Sequence, residues 1–223
     1  MRQILVFFVI SSFFSCRKDV GPQTNNNSSE AAVFHDVLIG CEGSFGTGNG
    51  SLSLYSSFLK ESANNYFDQQ NNYPLGDVVQ SIASIDQNLY IVVNNSGKIE
   101  IIDSTSFLTQ GVITGFTSPR EMAKIDIDNA YVTDLYSNSI QVVDLNNKSI
   151  ISNIAVSGWT EAVIVQNNYA YVSCPGSSLI YKIDVSIHEI VDSVATSYSP
   201  LDLVIDKNNS LWVVCSGNWG SNN

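Results

Sequence analysis

Ala130-Tyr131-Val132-Thr133-Asp134 is one of four similar segments that recur along the chain at a nearly fixed interval. The others are LYIVV at residues 89–93, AYVSC at residues 170–174 and LWVVC at residues 211–215. The aromatic residues of the four segments are 41, 40 and 41 positions apart. Short runs of β-branched and aromatic residues favour strands. Each segment therefore predicts a β-strand that occurs once per repeat.

A second strand-like series runs in step with the first. It consists of IEIID at residues 99–103, IQVVD at 140–144 and IYKID at 180–184, whose aspartates are 41 and 40 positions apart. Two strand motifs that share one period of about 40 residues are typical of a β-propeller, in which each repeat forms a four-stranded blade. Strands of the second repeat are predicted at residues 78–85, 89–93, 98–103 and 111–116. The next two repeats are predicted from 120–126 through 150–156 and from 161–165 through 190–195.

The repeats at the two ends of the array are less regular. Residues 36–40 and 51–55 are expected to take the two central strand positions of the first repeat, and a longer link leads to Asp77. The last repeat stops after two strands. We therefore expect an all-β propeller of four-stranded blades over residues 33–223, with about four and a half blades present, in a C-terminally truncated fragment.

The N-terminus has the features of a bacterial export signal. The apolar run at residues 4–14 is about half of the ~20 residues that a membrane-spanning helix needs. Phe13-Phe14-Ser15-Cys16 resembles a lipobox, so residues 1–15 are expected to be a lipoprotein signal peptide and Cys16 the lipidated residue. Ordinary cleavage with an incidental Cys16 is the alternative. Residues 16–32 read as a flexible stalk. Arg17-Lys18-Asp19 resembles the start of Bacteroidetes outer-membrane lipoproteins, some of which face outward, and this resemblance implies an outer-membrane lipoprotein at the cell surface or facing the periplasm.

The amino-acid composition limits the classes of molecule that the protein is expected to bind. Formal net charge is −11 and charged residues make up 14% of the chain, with no basic stripe, so nucleic acid is not expected as a partner. Cys41, Cys174 and Cys215 are interpreted as small space-filling thiols, because equivalent points on neighbouring blades lie too far apart for a disulfide. Paired Cys or His spacings are missing from the sequence, so no metal site is predicted.

Strand order predicts a binding face. In a meandering blade, the segment leading into the first strand and the turn between the second and third strands emerge at the same end. This places Phe45, Tyr73, Tyr136, Trp159, Tyr198 and Trp219 on one rim, with Glu42, Asp77, Arg120, Glu121 and Glu161. The predicted ligand-binding residues are Glu42, Phe45, Asn49, Arg120, Tyr136, Trp159 and Trp219. The alternative for about half of the rings is that they fill gaps between blades. His35 and His188 lie on distant elements, so no catalytic residues are predicted.

The repeats and two loops resemble a known family. The Ala-Tyr-Val strands, the loop EGSFGTGN at residues 42–49 and the loop GNWGSNN at residues 217–223 are similar to the YncE-like seven-bladed propeller lipoproteins of Bacteroidetes, a group that includes DUF5074. Some members of that group capture cobalamin and pass it to a TonB-dependent outer-membrane transporter. The resemblance implies a ligand-capturing accessory protein without an enzymatic activity or a cofactor, with cobalamin as the candidate ligand and such a transporter as a possible partner.

Two other functional classes stay open. A propeller that acts as a protein-interaction module or scaffold of the cell envelope, without a small-molecule ligand, would use the same rim. An enzyme, by analogy with quinoprotein-like propellers, would need cofactor-binding residues or a metal set that the sequence does not supply.

Overall fold

A computed structural model describes residues 36–217 of the chain. Cys16, the signal peptide, the stalk and Trp219 lie outside the described residues. The described part is an all-β structure of antiparallel sheets, as the two repeated strand motifs predict.

Three complete four-stranded blades form the middle of the array, each with its strands in sequence order. The second blade consists of β4 (Val79–Ile85), β5 (Asn88–Val93), β6 (Lys98–Asp103) and β7 (Thr109–Thr114). The third consists of β8 (Pro119–Lys124), β9 (Asn129–Asp134), β10 (Ser139–Asp144) and β11 (Ser149–Ala155). The fourth consists of β12 (Val163–Gln166), β13 (Tyr169–Cys174), β14 (Leu179–Asp184) and β15 (Glu189–Ala195). The predicted strands are therefore present, with bounds shifted by one or two residues.

The outer sheets of the described range have fewer strands. The first blade holds β1 (Val37–Cys41), β2 (Ser51–Ser56) and β3 (Glu61–Ala63), and the fifth holds β16 (Pro200–Ile205) and β17 (Leu211–Cys215). The first strands β4, β8, β12 and β16 contact one another in succession. They are therefore the innermost strands of their blades, nearest to the propeller axis.

The link between the first two blades is more structured than the sequence predicts. It contains β3 and the short helix α1 (Tyr66–Asn71), whose Phe67 is buried and packs edge-on against Tyr73, with ring centroids 5.2 Å apart. The hydroxyl of Tyr73 donates to Glu100 Oε1 at 2.7 Å. Tyr73 therefore packs against the second blade, although its place before β4 predicts an aromatic residue of the rim.

Glu100 is a buried carboxylate whose oxygens are all paired. It is 2% exposed, and it also accepts hydrogen bonds from Thr109 Oγ1 at 2.9 Å and Lys98 Nζ at 2.8 Å. A buried charge is tolerated when it is paired and hydrogen-bonded in this way. The burial of Tyr73 raises the pKa of its phenol, and the neighbouring Glu100 carboxylate acts in the same direction.

The hydrophobic core lies between the blades. One cluster joins Ile99, Ile101 and Ile113 of the second blade to Val132 and Val143 of the third. A second cluster joins the third blade to the fourth, and two smaller ones join the first blade to the second and the fourth to the fifth. Sheets that stack face to face bury both of their surfaces, which explains strands with few exposed positions.

The three cysteines within residues 36–217 are unpaired, but only one of them is fully buried. Cys174 is inaccessible, and burial raises the pKa of its thiol. Cys41 and Cys215 are half-buried, because they lie on the outer blades of the described range. The interpretation as buried space-filling thiols therefore holds for Cys174 alone.

Candidate functional site

The upper rim is the end of the blades that carries the segments before the first strands and the turns between the second and third strands. Backbone hydrogen bonds connect these segments both within a blade and between neighbouring blades. Gly50 N–H donates to Gly76 O at 2.8 Å, Leu135 N–H to Ser118 O at 2.9 Å and Thr160 N–H to Asp134 O at 3.2 Å. The loop at residues 42–50 thus lies on this rim, next to the segment that leads into β4.

The loop at residues 42–50 is held in place by two polar side chains. Asn49 Oδ1 accepts hydrogen bonds from Ser44 N–H at 2.7 Å and from Thr47 Oγ1 at 2.6 Å. Asp77 Oδ2 accepts one from Gly46 N–H at 2.8 Å. Asn49 was predicted to bind ligand, but its side-chain oxygen is used inside the loop. The loop is therefore preorganised around its tip.

Phe45 lies at the tip of this loop and is 78% exposed. Asp77 holds the loop from below and is itself 9% exposed. A hydrogen bond from the side chain of Asn95, and others from the loop backbone, lower the pKa of Asp77. N–H groups of the loop donate hydrogen bonds to this carboxylate, which holds the loop in place. Glu42, another predicted ligand-binding residue, is exposed at the start of the loop.

Tyr136 has a similar setting on the third blade. It is 75% exposed on the turn between β9 and β10, and the adjoining Asp134 is fully buried. Asp134 Oδ1 accepts hydrogen bonds from Tyr136 N–H at 3.0 Å and Ser137 N–H at 3.1 Å, and Oδ2 accepts one from Thr117 N–H at 3.0 Å. Two exposed aromatic residues on the rim are therefore each supported by a buried aspartate.

Asp134 was not among the predicted site residues, although the sequence contains a signal for it. The fifth position of the repeated strand segment holds Val93, Cys174 and Cys215 in the other repeats. An aspartate at a position that is otherwise apolar indicates that its carboxylate accepts local hydrogen bonds in the fold. An unpaired buried charge would be strongly destabilising.

Three polar residues form an inner ladder between blades: Gln80 and Arg120 lie on the innermost strands β4 and β8, and Glu161 lies just before β12. Arg120 Nη1 donates to Gln80 Oε1 at 2.6 Å, and Arg120 Nε donates to Glu161 Oε1 at 2.8 Å. Arg120 Nη2 is also paired with Glu161 Oε1. The ladder is polar but largely shielded, since the Arg120 and Glu161 side chains are 21% and 14% exposed. Arg120, predicted to bind ligand, is therefore held by its neighbours.

Irregular strand pairing positions the ladder. The register between β8 and β9 shifts between Pro119 and Met122, and a similar shift between Val79 and Ser81 flanks Gln80. β-Bulges of this kind turn side chains away from the regular alternation. The sequence signal for Gln80 is weak, because one polar residue in an apolar run also fits a solvent-facing strand position.

Glu121 adds a second carboxyl near the ladder. Its Oε2 accepts a hydrogen bond from Val163 N–H at 3.1 Å. Burial raises the pKa of Glu121, and the charges of Asp202 and Glu161 raise it further. Glu121 also lines a cavity of 230 Å³ together with Ser81, Ile82, Ala83 and Met122. This carboxyl is a group that can accept a hydrogen bond or, when protonated, donate one.

Trp159 packs against the rim rather than projecting from it. It is half-buried, and a Cβ added at Gly176 would lie 2.8 Å from Trp159 Cδ1. The ring therefore covers the turn between β13 and β14 of its own blade, a packing role that differs from the filling of gaps between blades. On the opposite rim, the hydroxyl of Tyr131 and His188 Nδ1 lie 2.7 Å apart.

Residues 36–217 include no group of three or more His, Cys, Asp or Glu side chains arranged to hold a metal ion. Over the same range, no helix is long and apolar enough to cross a membrane.

The comparisons with known proteins agree with this architecture. A family model described as a domain of unknown function (DUF5074) matches residues 36–218. The chain belongs to the DUF5074 family. This match spans the described blades of the DUF5074 domain and the loop with Phe45. A search of curated proteins returned no match.

Three solved structures are similar to the DUF5074 domain. Hydrazine synthase of Kuenenia stuttgartiensis is 25% identical with a TM-score of 0.58, over 67% of this chain and 47% of that chain. Dihydro-heme d1 dehydrogenase NirN in complex with DHE is 14% identical with a TM-score of 0.55, over 72% and 38%. The WD40 β-propeller domain of Doa1 is 9% identical with a TM-score of 0.54, over 63% and 47%. The chain spans less than half the length of each of the three, and their likeness supports the propeller fold.

Proposed function

We propose that this DUF5074 domain is a non-enzymatic propeller that captures a ligand on its upper rim. The observation that carries the proposal is the pair of exposed aromatic residues, Phe45 and Tyr136, on segments that Asp77 and Asp134 hold in place. A ring on a preorganised segment loses little conformational freedom when it binds, and it offers a large stacking surface. The two residues are therefore suited to contacting an organic ligand or a partner surface.

The polar groups near the axis would orient the ligand. Arg120 is paired with Gln80 and with Glu161 Oε1, whereas Glu121 lines a cavity of 230 Å³. Ligand sites combine apolar and aromatic contacts, which supply affinity, with a few placed polar groups, which fix orientation. In this proposal the rim aromatics supply the affinity and Glu121 supplies a directional hydrogen bond.

We further propose that the protein is a lipoprotein tethered to the outer membrane through Cys16, and that it delivers its ligand to a TonB-dependent transporter. The lipobox-like segment before Cys16 and the resemblance to cobalamin-capturing lipoproteins support this. Labelling cells with a fatty-acid precursor should mark the wild-type protein and not Cys16→Ser. Equal labelling of both proteins would contradict the lipidation of Cys16.

Titration calorimetry with cyanocobalamin tests whether the protein binds cobalamin. The expected result is saturable binding with one site per chain. A scaffold function makes a different prediction, in which the protein copurifies with a transporter from detergent-solubilised membranes but takes up no corrinoid. That outcome would contradict ligand capture and would indicate that the protein binds another protein through the same rim.

A further inference from the structure

The turn between β5 and β6 lies between the two segments that carry the exposed aromatic residues. It spans residues 94–97 on the upper rim of the second blade, whereas Phe45 lies on the first blade and Tyr136 on the third. Asn95 N–H donates to Asp77 O at 3.1 Å. The backbone of this turn is therefore joined to the segment that leads into β4 and that holds the Phe45 loop.

Asn95 also bonds to the carboxylate that holds the Phe45 loop. Asn95 Nδ2 donates to Asp77 Oδ2 at 2.5 Å, and the same oxygen accepts the hydrogen bond from Gly46 N–H at 2.8 Å. On the backbone side, Asp77 N–H donates to Ser96 Oγ at 2.9 Å. Hydrogen bonds to a charged group are stronger than those between neutral groups. Two side chains of the turn thus fix both the carboxylate and the backbone of Asp77.

Asn94 makes the corresponding contact to the third blade. It is 6% exposed, and its Nδ2 donates to Pro119 O at 2.9 Å. The residue before Pro119 is Ser118, whose N–H donates to Asp134 Oδ2 at 3.0 Å. Asp134 in turn accepts the hydrogen bond from Tyr136 N–H. Asn94 therefore fixes the segment that is bonded to the carboxylate holding Tyr136.

The amide of Asn94 is particular to the second blade. Asn94 directly follows the repeated strand segment at residues 89–93. The next three blades have Leu135, Pro175 and Ser216 at this position. The repeat itself therefore does not require an amide here, and the contact with Pro119 is an addition to the propeller fold.

We propose that Asn94 and Asn95 are positioning residues that fix the Phe45 loop and the Tyr136 turn relative to each other, so that one occupant of the upper rim contacts both rings. Adjacent residues of one short turn are bonded to both supports, directly to Asp77 and through the start of β8 to the segment that holds Tyr136. An occupant of both rings binds more tightly when their spacing is preset, because less ordering accompanies binding. This role rests on the proposed function, the capture of a ligand on the upper rim.

Hydrogen exchange followed by mass spectrometry tests the positioning without a ligand. Asn95→Ala should speed the exchange of the loop at residues 42–50, because the Asp77 carboxylate loses the donor that fixes its orientation. Asn94→Ala should speed the exchange of the turn at residues 135–138, because the start of β8 loses its tie to the second blade.

Asn147→Ala is the matched control. Asn147 Nδ2 donates to Asp144 Oδ2 at 2.7 Å, so this variant also loses a hydrogen bond from an asparagine to an aspartate, but on a turn of the opposite rim. It should change the exchange of neither segment. Thermal melts establish which variants fold. Asn95 is exposed, so Asn95→Ala decides the matter even if Asn94→Ala does not fold.

Calorimetric titration of cyanocobalamin separates positioning from a general loss of stability. Asn95→Ala should weaken binding about tenfold, the effect of losing one hydrogen bond to a charged group, but should cause no further loss in Phe45→Ala. Asn94→Ala should likewise weaken binding only while the Tyr136 ring is present. Such non-additivity is expected when one residue acts through another, whereas a general loss of stability weakens binding equally in both backgrounds.

Two results would overturn the proposal. The first is unchanged exchange of residues 42–50 in Asn95→Ala, or of residues 135–138 in a folded Asn94→Ala. The second is an equal loss of affinity for Asn95→Ala in the presence and in the absence of the Phe45 ring. If the wild-type protein binds no cyanocobalamin, the ligand of the proposed function is wrong, and hydrogen exchange alone then decides whether Asn94 and Asn95 fix the two segments.

Discussion

Arg120 and Glu161 form an ion pair between the third and fourth blades, with Arg120 Nε 2.8 Å from Glu161 Oε1. Both side chains are largely shielded from water, and Gln80 on the second blade accepts a further hydrogen bond from Arg120. The three side chains together therefore connect three successive blades close to the propeller axis. Removing one partner would leave the other charge partly buried and uncompensated.

Arg120→Ala is expected to lower the free energy of unfolding by about 2 kcal/mol, less than the ~3–5 kcal/mol seen for fully buried pairs, because both side chains keep some solvent contact. Urea denaturation measures this difference. Lys124→Ala is the control, since Lys124 pairs with an exposed Asp86. Such surface pairs contribute up to about 1 kcal/mol. An equal loss of stability in the two variants would contradict the structural role of the ladder.

Asp134→Ala should be more destabilising than Asp144→Ala. Asp134 is fully buried and accepts hydrogen bonds from Thr117, Ser118, Tyr136 and Ser137. Its loss leaves the buried N–H of Ser118 and three partly buried N–H groups without this acceptor, and a buried group left unpaired costs about 1–3 kcal/mol. Asp144 accepts hydrogen bonds from Asn146 and Asn147 on an exposed turn, where water can replace it.

Hydrogen exchange followed by mass spectrometry provides the local readout for Asp134. The peptide that contains the β9–β10 turn should exchange faster in Asp134→Ala and should be unchanged in Asp144→Ala. If exchange of this turn is the same in Asp134→Ala as in the wild type, Asp134 does not hold Tyr136 in place.

Glu121→Gln should stabilise the protein at neutral pH. Because burial raises the pKa of Glu121, the folded protein holds this proton more tightly than the unfolded chain does. The resulting stabilisation is present below the unfolded-state pKa and is lost as the pH rises through the folded-state pKa. The variant minus wild-type difference in unfolding free energy should therefore be larger at pH 7 than at pH 4.

Urea denaturation of both proteins at the two pH values gives this difference. Carboxyls whose pKa is lowered in the fold, such as Asp126 and Asp184, act in the opposite direction but are present in both proteins and cancel. A difference that does not change with pH would show that Glu121 is not a buried titrating group.

Gly43→Ala should disturb the Phe45 loop more than Gly46→Ala. Both glycines have positive φ, at 81° and 79°, so both substitutions strain the backbone. A Cβ at Gly43 would also clash with Asn49 Oδ1, whereas a Cβ at Gly46 meets no atom within 4 Å. Limited proteolysis should therefore cut the loop at residues 42–50 faster in Gly43→Ala. Faster cutting of Gly46→Ala would contradict the bracing role of Asn49.

The fold could be predicted from the sequence because each repeat places its strands at the same intervals. The aromatic residues of the repeated segments fixed the blade period, and the rim followed from strand order. Helix α1 was missed, since six residues with one buried aromatic leave no periodic pattern. The roles of Asn49 and Trp159 were also missed, because they depend on contacts with Ser44 and Gly176 that only the folded loops bring about.

Calorimetric titration of cyanocobalamin into the full chain, with Phe45→Ala, Tyr136→Ala and Ile127→Ala beside the wild type, tests ligand capture on the upper rim most directly. Ile127 is the control, because it is 81% exposed on the turn between β8 and β9 at the opposite rim. Truncation of an aromatic contact typically costs about 2 kcal/mol or more, which is about thirtyfold in affinity. The two aromatic variants should each lose about that much, and Ile127→Ala should bind like the wild type. Unchanged binding in both aromatic variants, or a loss confined to Ile127→Ala, would contradict the assignment of the binding face.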